Sequence, residues 1–136
     1  MIEDVAPRQV WEALMSNPSA ILCDVRTQAE WNFVGLPDLM QTGKHPVLIQ
    51  WQMLPAMEVN PNFLAALSSA HVTPEHHVYF ICRSGARSMA AAQAAKAAGF
   101  SHVYNVKDGF EGPLDPRGHR GHVAGWKAEG LPWRQG

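Results

Sequence analysis

The feature that most limits what this chain can become is the run from Val78 to Gly99. Val78-Tyr79-Phe80-Ile81 is β-branched or aromatic throughout, the strongest strand signal present, and it ends on Cys82. Ser88 to Ala98 is rich in alanine and predicts a helix stopped by Gly99. Between them lies the short loop Cys82-Arg83-Ser84-Gly85-Ala86-Arg87, with Gly85 free to take an unusual backbone angle. A strand that turns this tightly into a helix points its free N–H groups inward and makes an anion-binding nest, to which the helix dipole adds positive potential. Arg83 and Arg87 add full charges where they face that point. Such a setting favours a thiolate on Cys82 and equally holds a bound oxyanion.

The rest of the chain supplies further units of the same kind. Ile2 to Val5 reads as a short strand, and Pro7 to Ser16 as a helix with proline in its first turn, broken by Asn17-Pro18. Ala20 to Val25 is an apolar run of strand length. Thr27 with Glu30 forms a capping-box pattern for a short helix through Trp31. Residues 35–45 read as loop, Pro46 to Trp51 and Val103 to Val106 as strands, Pro61 to Ala70 as a helix, and Val123 to Glu129 as a short helix ended by Gly130. Strands alternating with helices predict an α/β fold: a central, mainly parallel sheet with helices on both faces. Ligands of such sheets bind beyond the carboxyl ends of the strands, where Cys82 falls.

A length of 136 residues suits one domain spanning 1–136, since domains run to roughly 100–200 residues. The net charge of −1 speaks against nucleic acid and against an anionic membrane as partner. No apolar run reaches the roughly 18 residues that span a bilayer, and Met1 to Arg8 lacks the apolar stretch of a secretory signal. Two cysteines are no disulfide framework, so the reading is cytoplasmic with reduced thiols. Cys23, inside a strand, reads as a core thiol. His119 and His122 lack companion cysteines or helical spacing, so neither a metal nor any other cofactor is expected.

Three blocks in order resemble the rhodanese-like domain family. Cys82 to Ser88, CRSGARS, is similar to its active-site loop. Asp24-Val25-Arg26 with Glu30-Trp31 resembles its D-V-R-x-x-x-E-[FYW] signature. Val103 to Val106 with Asp108-Gly109-Phe110 resembles its last strand and Gly-Gly-aromatic turn, with Asp108 in place of the first glycine. The resemblance implies a sulfurtransferase. Cys82 would take sulfane sulfur from thiosulfate or a persulfide and pass it, as a persulfide, to a thiol or cyanide-like acceptor or to an acceptor protein. It places Arg83, Ser84, Gly85, Ala86, Arg87 and Ser88 around the substrate. Asp24 and Arg26 read as supporting, since buried charges are normally paired: Asp24 by satisfying loop amides, Arg26 with Glu30 or a carboxylate nearby. Of the two loop arginines, Arg87 is expected to matter more. The chain departs from the family at Val34 to Leu39, and residues 113–136, including Arg117, His119, Arg120 and His122, form an extension expected on or near the mouth.

Two other readings use the same cysteine. A phosphatase or arsenate reductase loop has five residues between cysteine and arginine, whereas Cys82 and Arg87 are separated by four, a ring better suited to one extra sulfur atom. A non-enzymatic sulfur carrier or redox-sensing module is the alternative, because an accessible thiolate is oxidisable.

Overall fold

The computed structural model describes residues 1–135. In chain order the elements are β1 (Glu3–Val5), α1 (Pro7–Ser16), β2 (Ala20–Asp24), α2 (Gln28–Phe33), β3 (Leu36–Pro37), β4 (Val47–Leu48), β5 (Gln52–Met53), β6 (Glu58–Val59), α3 (Phe63–Ser69), β7 (His77–Ile81), α4 (Ala86–Ala97), β8 (Val103–Val106) and β9 (Trp133–Arg134). β1, β8, β7, β2 and β4 form one sheet in that spatial order, and each neighbouring pair is parallel. β7 lies at its centre, which is why its sequence shows no polar alternation: both of its faces are buried.

Val78 and Phe80 pack on one face with Phe63 and Leu67 of α3 and with Ala91, Ala92 and Ala95 of α4. The alanines keep α4 low on the sheet, because a bare methyl lets the backbones approach. Tyr79 and Ile81 pack on the other face with Val10 and Leu14 of α1 and with Phe110 and Trp126. Trp126 is fully buried, stands edge-on to Trp11, and donates its indole N–H to Pro132 O at 2.8 Å. Two small antiparallel ribbons, β3 with β9 and β5 with β6, complete the fold.

The register of β2 on β7 pairs Asp24 with Ile81, and Val25 donates to Ile81 O at 2.9 Å. The Asp24-Val25-Arg26 stretch therefore lies alongside the start of the Cys82 loop. Asp24 and Arg26 are both fully buried. Arg26 Nη2 donates to Asp24 Oδ2 at 2.7 Å and to Gly35 O at 2.8 Å, and its guanidinium lies 4.3 Å above the Phe110 ring. Arg26 thus pairs with Asp24; Glu30 is taken by Arg87.

Several expected boundaries move. α4 begins at Ala86, so Ala86, Arg87 and Ser88 are its first turn, and the loop proper is only Cys82–Gly85. Gly85, at φ 116°, makes this early start sterically open. Only Val47–Leu48 of the run from Pro46 to Trp51 is strand, because the chain bends there into the β5–β6 ribbon. Leu36–Pro37, read as loop, pairs with Trp133–Arg134. Residues 123–129 form turns instead of a helix: Trp126 N–H is drawn out of any helical pattern to Gly109 O at 2.9 Å.

Breaking the Asp24–Arg26 pair leaves an uncompensated charge in the core. Asp24→Ala is expected to lower the unfolding free energy by about 3–5 kcal/mol. Urea unfolding of the variant checks this, and a loss below about 1 kcal/mol would mean that water reaches Arg26.

Candidate active site

Cys82 is 1% exposed as a residue, yet it lines a cavity of about 320 Å³ with Glu30, Gln52, Met57, Arg83, Ser84, Ala86 and Arg87. A hollow of about 660 Å³ between β4 and α3 has no titratable side chain, and those beside Asp4 and Lys96 and beside Lys44, His45 and His76 contain no cysteine, so nucleophilic chemistry points to the Cys82 cavity. Three groups meet the sulfur. Gly85 N–H donates to Sγ at 3.1 Å, Ser88 N–H at 3.3 Å, and Ser88 Oγ stands 3.1 Å away. The amides are those of the turn into α4, where the first-turn N–H groups have no helical acceptor. Among the described residues the N–H groups of Ser84, Ala86 and Arg87 meet no protein acceptor, which leaves them for an anion.

The loop's orientation is set by its carbonyls. Cys82 O accepts from Phe110 N–H at 2.8 Å, and Arg83 O accepts from Glu111 and Gly112 N–H at 2.9 and 3.1 Å. With both carbonyls held by this turn, the N–H groups of Arg83 and Ser84 point away from it. Gly109 makes the approach possible, since a Cβ there would stand 2.4 Å from Cys82 O. The turn is gripped from behind by residues 120–127. Arg120 Nη1 reaches Gly112 O at 2.7 Å, Gly121 N–H reaches Glu111 O at 2.6 Å, and Lys127 N–H reaches Phe110 O at 3.1 Å. No residue of 113–135 lines the cavity itself.

The two arginines differ in their partners. Arg87 makes a bidentate pair with Glu30 of α2, Nη1–Oε1 2.6 Å and Nη2–Oε2 2.9 Å. Burial alone would raise the Glu30 carboxyl, but the Arg87 hydrogen bonds and the N–H and hydroxyl of Thr27 bring it down to about 2. Glu30 therefore closes the Thr27 capping box and also compensates Arg87. Arg83, exposed at the rim, is the uncompensated cation of the lining. Sequence spacing could not show this, because 57 positions separate Glu30 from Arg87. It also missed Gln52 and Met57, which the β5–β6 ribbon brings to the cavity.

Cys23 lies in the core, and burial, then the Asp24 carboxylate, push its thiol strongly up. Asp115 joins His119 and His122, with their polar atoms within 4.8 Å of one another. Asp115 Oδ1 already accepts the amides of Arg117 and His119, both at 2.9 Å, which accounts for it as the closure of that turn.

The family described as STR4 middle domain matches residues 3–136. The crystal structure of Rv0390 from M. tuberculosis superposes with a TM-score of 0.89 at 50% identity over 98% of each chain. The solution structure of a polysulfide-sulfur transferase homodimer from Wolinella succinogenes, 22% identical, shares the fold at a TM-score of 0.67, covering 99% of this chain and 80% of that one. The chain belongs to the rhodanese-like family. Among relatives, an uncharacterized protein of Rickettsia conorii is 34% identical over 98% of both chains. A rhodanese-like domain-containing chloroplastic protein of Arabidopsis thaliana is 29% identical over 93% of this chain, which spans 24% of that protein. Among the described residues no helix is long and apolar enough to cross a membrane.

The Glu30 carboxyl gives this rhodanese-like chain a pH signature. Its folded value of about 2 lies below the ordinary 4.5. The stability it contributes is complete above the ordinary value and is lost as pH falls through that interval. Wild type should therefore exceed Glu30→Gln in urea midpoint at neutral pH, and the two should converge towards about pH 2. A gap independent of pH would show that shape, and not charge, is what Glu30 supplies.

Proposed function

We propose that the protein is a sulfurtransferase that moves sulfane sulfur through a persulfide on Cys82. The observation that carries this reading is the Cys82 sulfur at the floor of an open cavity, met by two backbone amides and rimmed by further amides without acceptors. Donors aimed at sulfur stabilise negative charge there, first on the thiolate and then on the persulfide. In the first half-reaction the Cys82 thiolate attacks the outer sulfur of thiosulfate. A new S–S bond forms, the donor's S–S bond breaks, and sulfite leaves with the electron pair. A persulfide donor reacts in the same way and releases a thiolate. In the second half-reaction a thiol or cyanide attacks the terminal sulfur, and the Cys82 thiolate leaves.

The amides of Ser84, Gly85, Ala86, Arg87 and Ser88 supply most of the cradle. Arg83 draws the anionic donor to the rim, and Arg87, paired with Glu30, stiffens the first turn of α4. Asp24 and Arg26 support the loop from β2. A relative from Allochromatium vinosum, 24% identical over 97% of this chain, is named a sulfurtransferase, which agrees with the reading.

Mass spectrometry after incubation with thiosulfate should find one added sulfur atom on Cys82. Cys82→Ser should lower sulfur transfer to cyanide to the uncatalysed background, while Cys23→Ser keeps most of it. Equal loss in both folded variants would overturn the assignment. Arg83→Ala should weaken thiosulfate use about fivefold, as loss of one exposed charge does. The unaltered chain should leave aryl phosphates intact. Cys82-dependent phosphate release would move the protein to the other class of cysteine enzyme.

A further inference from the structure

A line of side-chain contacts runs from the Cys82 sulfur across β8 to the edge strand β1. Ser88 Oγ stands 3.1 Å from Cys82 Sγ, and the same hydroxyl donates to Asn105 Oδ1 of β8. Asn105 Nδ2 donates to Asp4 Oδ1 of β1 at 2.8 Å. Ser88 Oγ also lies 3.2 Å from Gly85 O. Ser88 is fully buried and Asn105 nearly so, whereas Asp4 is exposed.

The inventory of protons makes this line directional. Asp4 offers only acceptors when ionised, so it fixes the Asn105 amide with Nδ2 towards itself and Oδ1 towards Ser88. Ser88 has one hydroxyl proton and faces three acceptors: Asn105 Oδ1, Gly85 O and the sulfur. In the thiol state the sulfur and Asn105 contacts are both met, because Cys82 S–H donates to Ser88 Oγ and Ser88 O–H donates to Asn105, while Gly85 O has the Met89 N–H at 3.1 Å. In the thiolate state one proton must serve both the sulfur and Asn105. Either choice leaves two acceptors face to face, which in a buried site is costly. Turning Asn105 over would relieve the conflict at Ser88, but it would put Oδ1 against the Asp4 carboxylate.

We propose that Asp4 and Asn105 are positioning residues that hold the Ser88 hydroxyl proton away from the Cys82 sulfur. They thereby restrain ionisation of the thiol against the pull of the backbone amides. The proposal rests on the reading of Cys82 as the reactive thiol and adds a remote control to it. Other charges packed around the loop are Arg83 and Arg87, Glu30 from α2, Asp24 and Arg26 after β2, and Asp108 after β8. None of them contacts the Ser88 hydroxyl.

The test is the rate of Cys82 alkylation by iodoacetamide against pH, with the modified residue located by mass spectrometry. Asp4→Asn keeps the shape but lets Asn105 turn, so the midpoint should fall by about one pH unit, the scale of one hydrogen bond gained by a charged group. Asn105→Asp adds an acceptor and a charge and should move the midpoint up. Removing the Asp4 charge also acts through space, and the Ser88→Ala background separates the two effects. There the Asp4→Asn shift should largely vanish. A shift of equal size with and without Ser88, or no shift in Asp4→Asn, overturns the proposal. Alkylation needs no sulfur donor. A wild type that transfers no sulfur but shows the Ser88-dependent shift would remove the proposed function and leave this inference standing.

Discussion

The hydrogen bonds from the turn at 109–112 to the carbonyls of Cys82 and Arg83 are the constraint on which the site depends. A peptide unit has two polar ends, and fixing one aims the other. With both carbonyls drawn towards Phe110, Glu111 and Gly112, the N–H groups of Arg83 and Ser84 are turned away from that turn, and the chain enters α4 with the Gly85 and Ser88 amides on the sulfur. The close approach needs Gly109, because any side chain there would overlap the Cys82 carbonyl. The turn belongs to the end of β8, so the loop after one strand is aimed by the loop after its neighbour. Parallel pairing of β7 and β8 brings those two ends together.

A second layer keeps that arrangement stiff. Arg26 bridges Asp24, Gly35 and the face of Phe110, linking the end of β2 to the same turn. The segment after Gly112 clasps the turn from outside, and Trp126 roots it in the core. The residues beyond Gly112 therefore act on the cavity from behind, through the carbonyl bonds, without lining it.

Charge around the cavity is arranged in pairs. Asp24 with Arg26 and Glu30 with Arg87 each cancel locally, so the positive character of the site comes from oriented amides plus Arg83. Fixed dipoles lose less to solvent reorganisation than a mobile side chain does, which suits the sulfur-anion chemistry proposed for this cavity. The Ser88–Asn105–Asp4 line reaches the sulfur from the side of β8, and its proposed role is to oppose them.

Much of this was legible in the chain. The unbroken apolar run at Val78 to Ile81 required cover on both faces, and the parallel sheet supplies it. Gly85 before an alanine-rich helix marked the tight turn, and Thr27 with Glu30 marked the cap, because these are local rules acting within a few residues. The ribbon at 52–59, the partner of Arg87, the start of α4 at Ala86 and the role of Asn105 were not legible. Each depends on contacts between residues far apart in sequence, where a carboxylate or an amide has many acceptable partners. The sequence by itself determined the main strands and helices of the central sheet and the one cysteine at a strand's carboxyl end. Only the tertiary structure decided which carbonyls turn outward, which charges cancel and which hydroxyl stands beside the sulfur, since these follow from the relative placement of neighbouring strands.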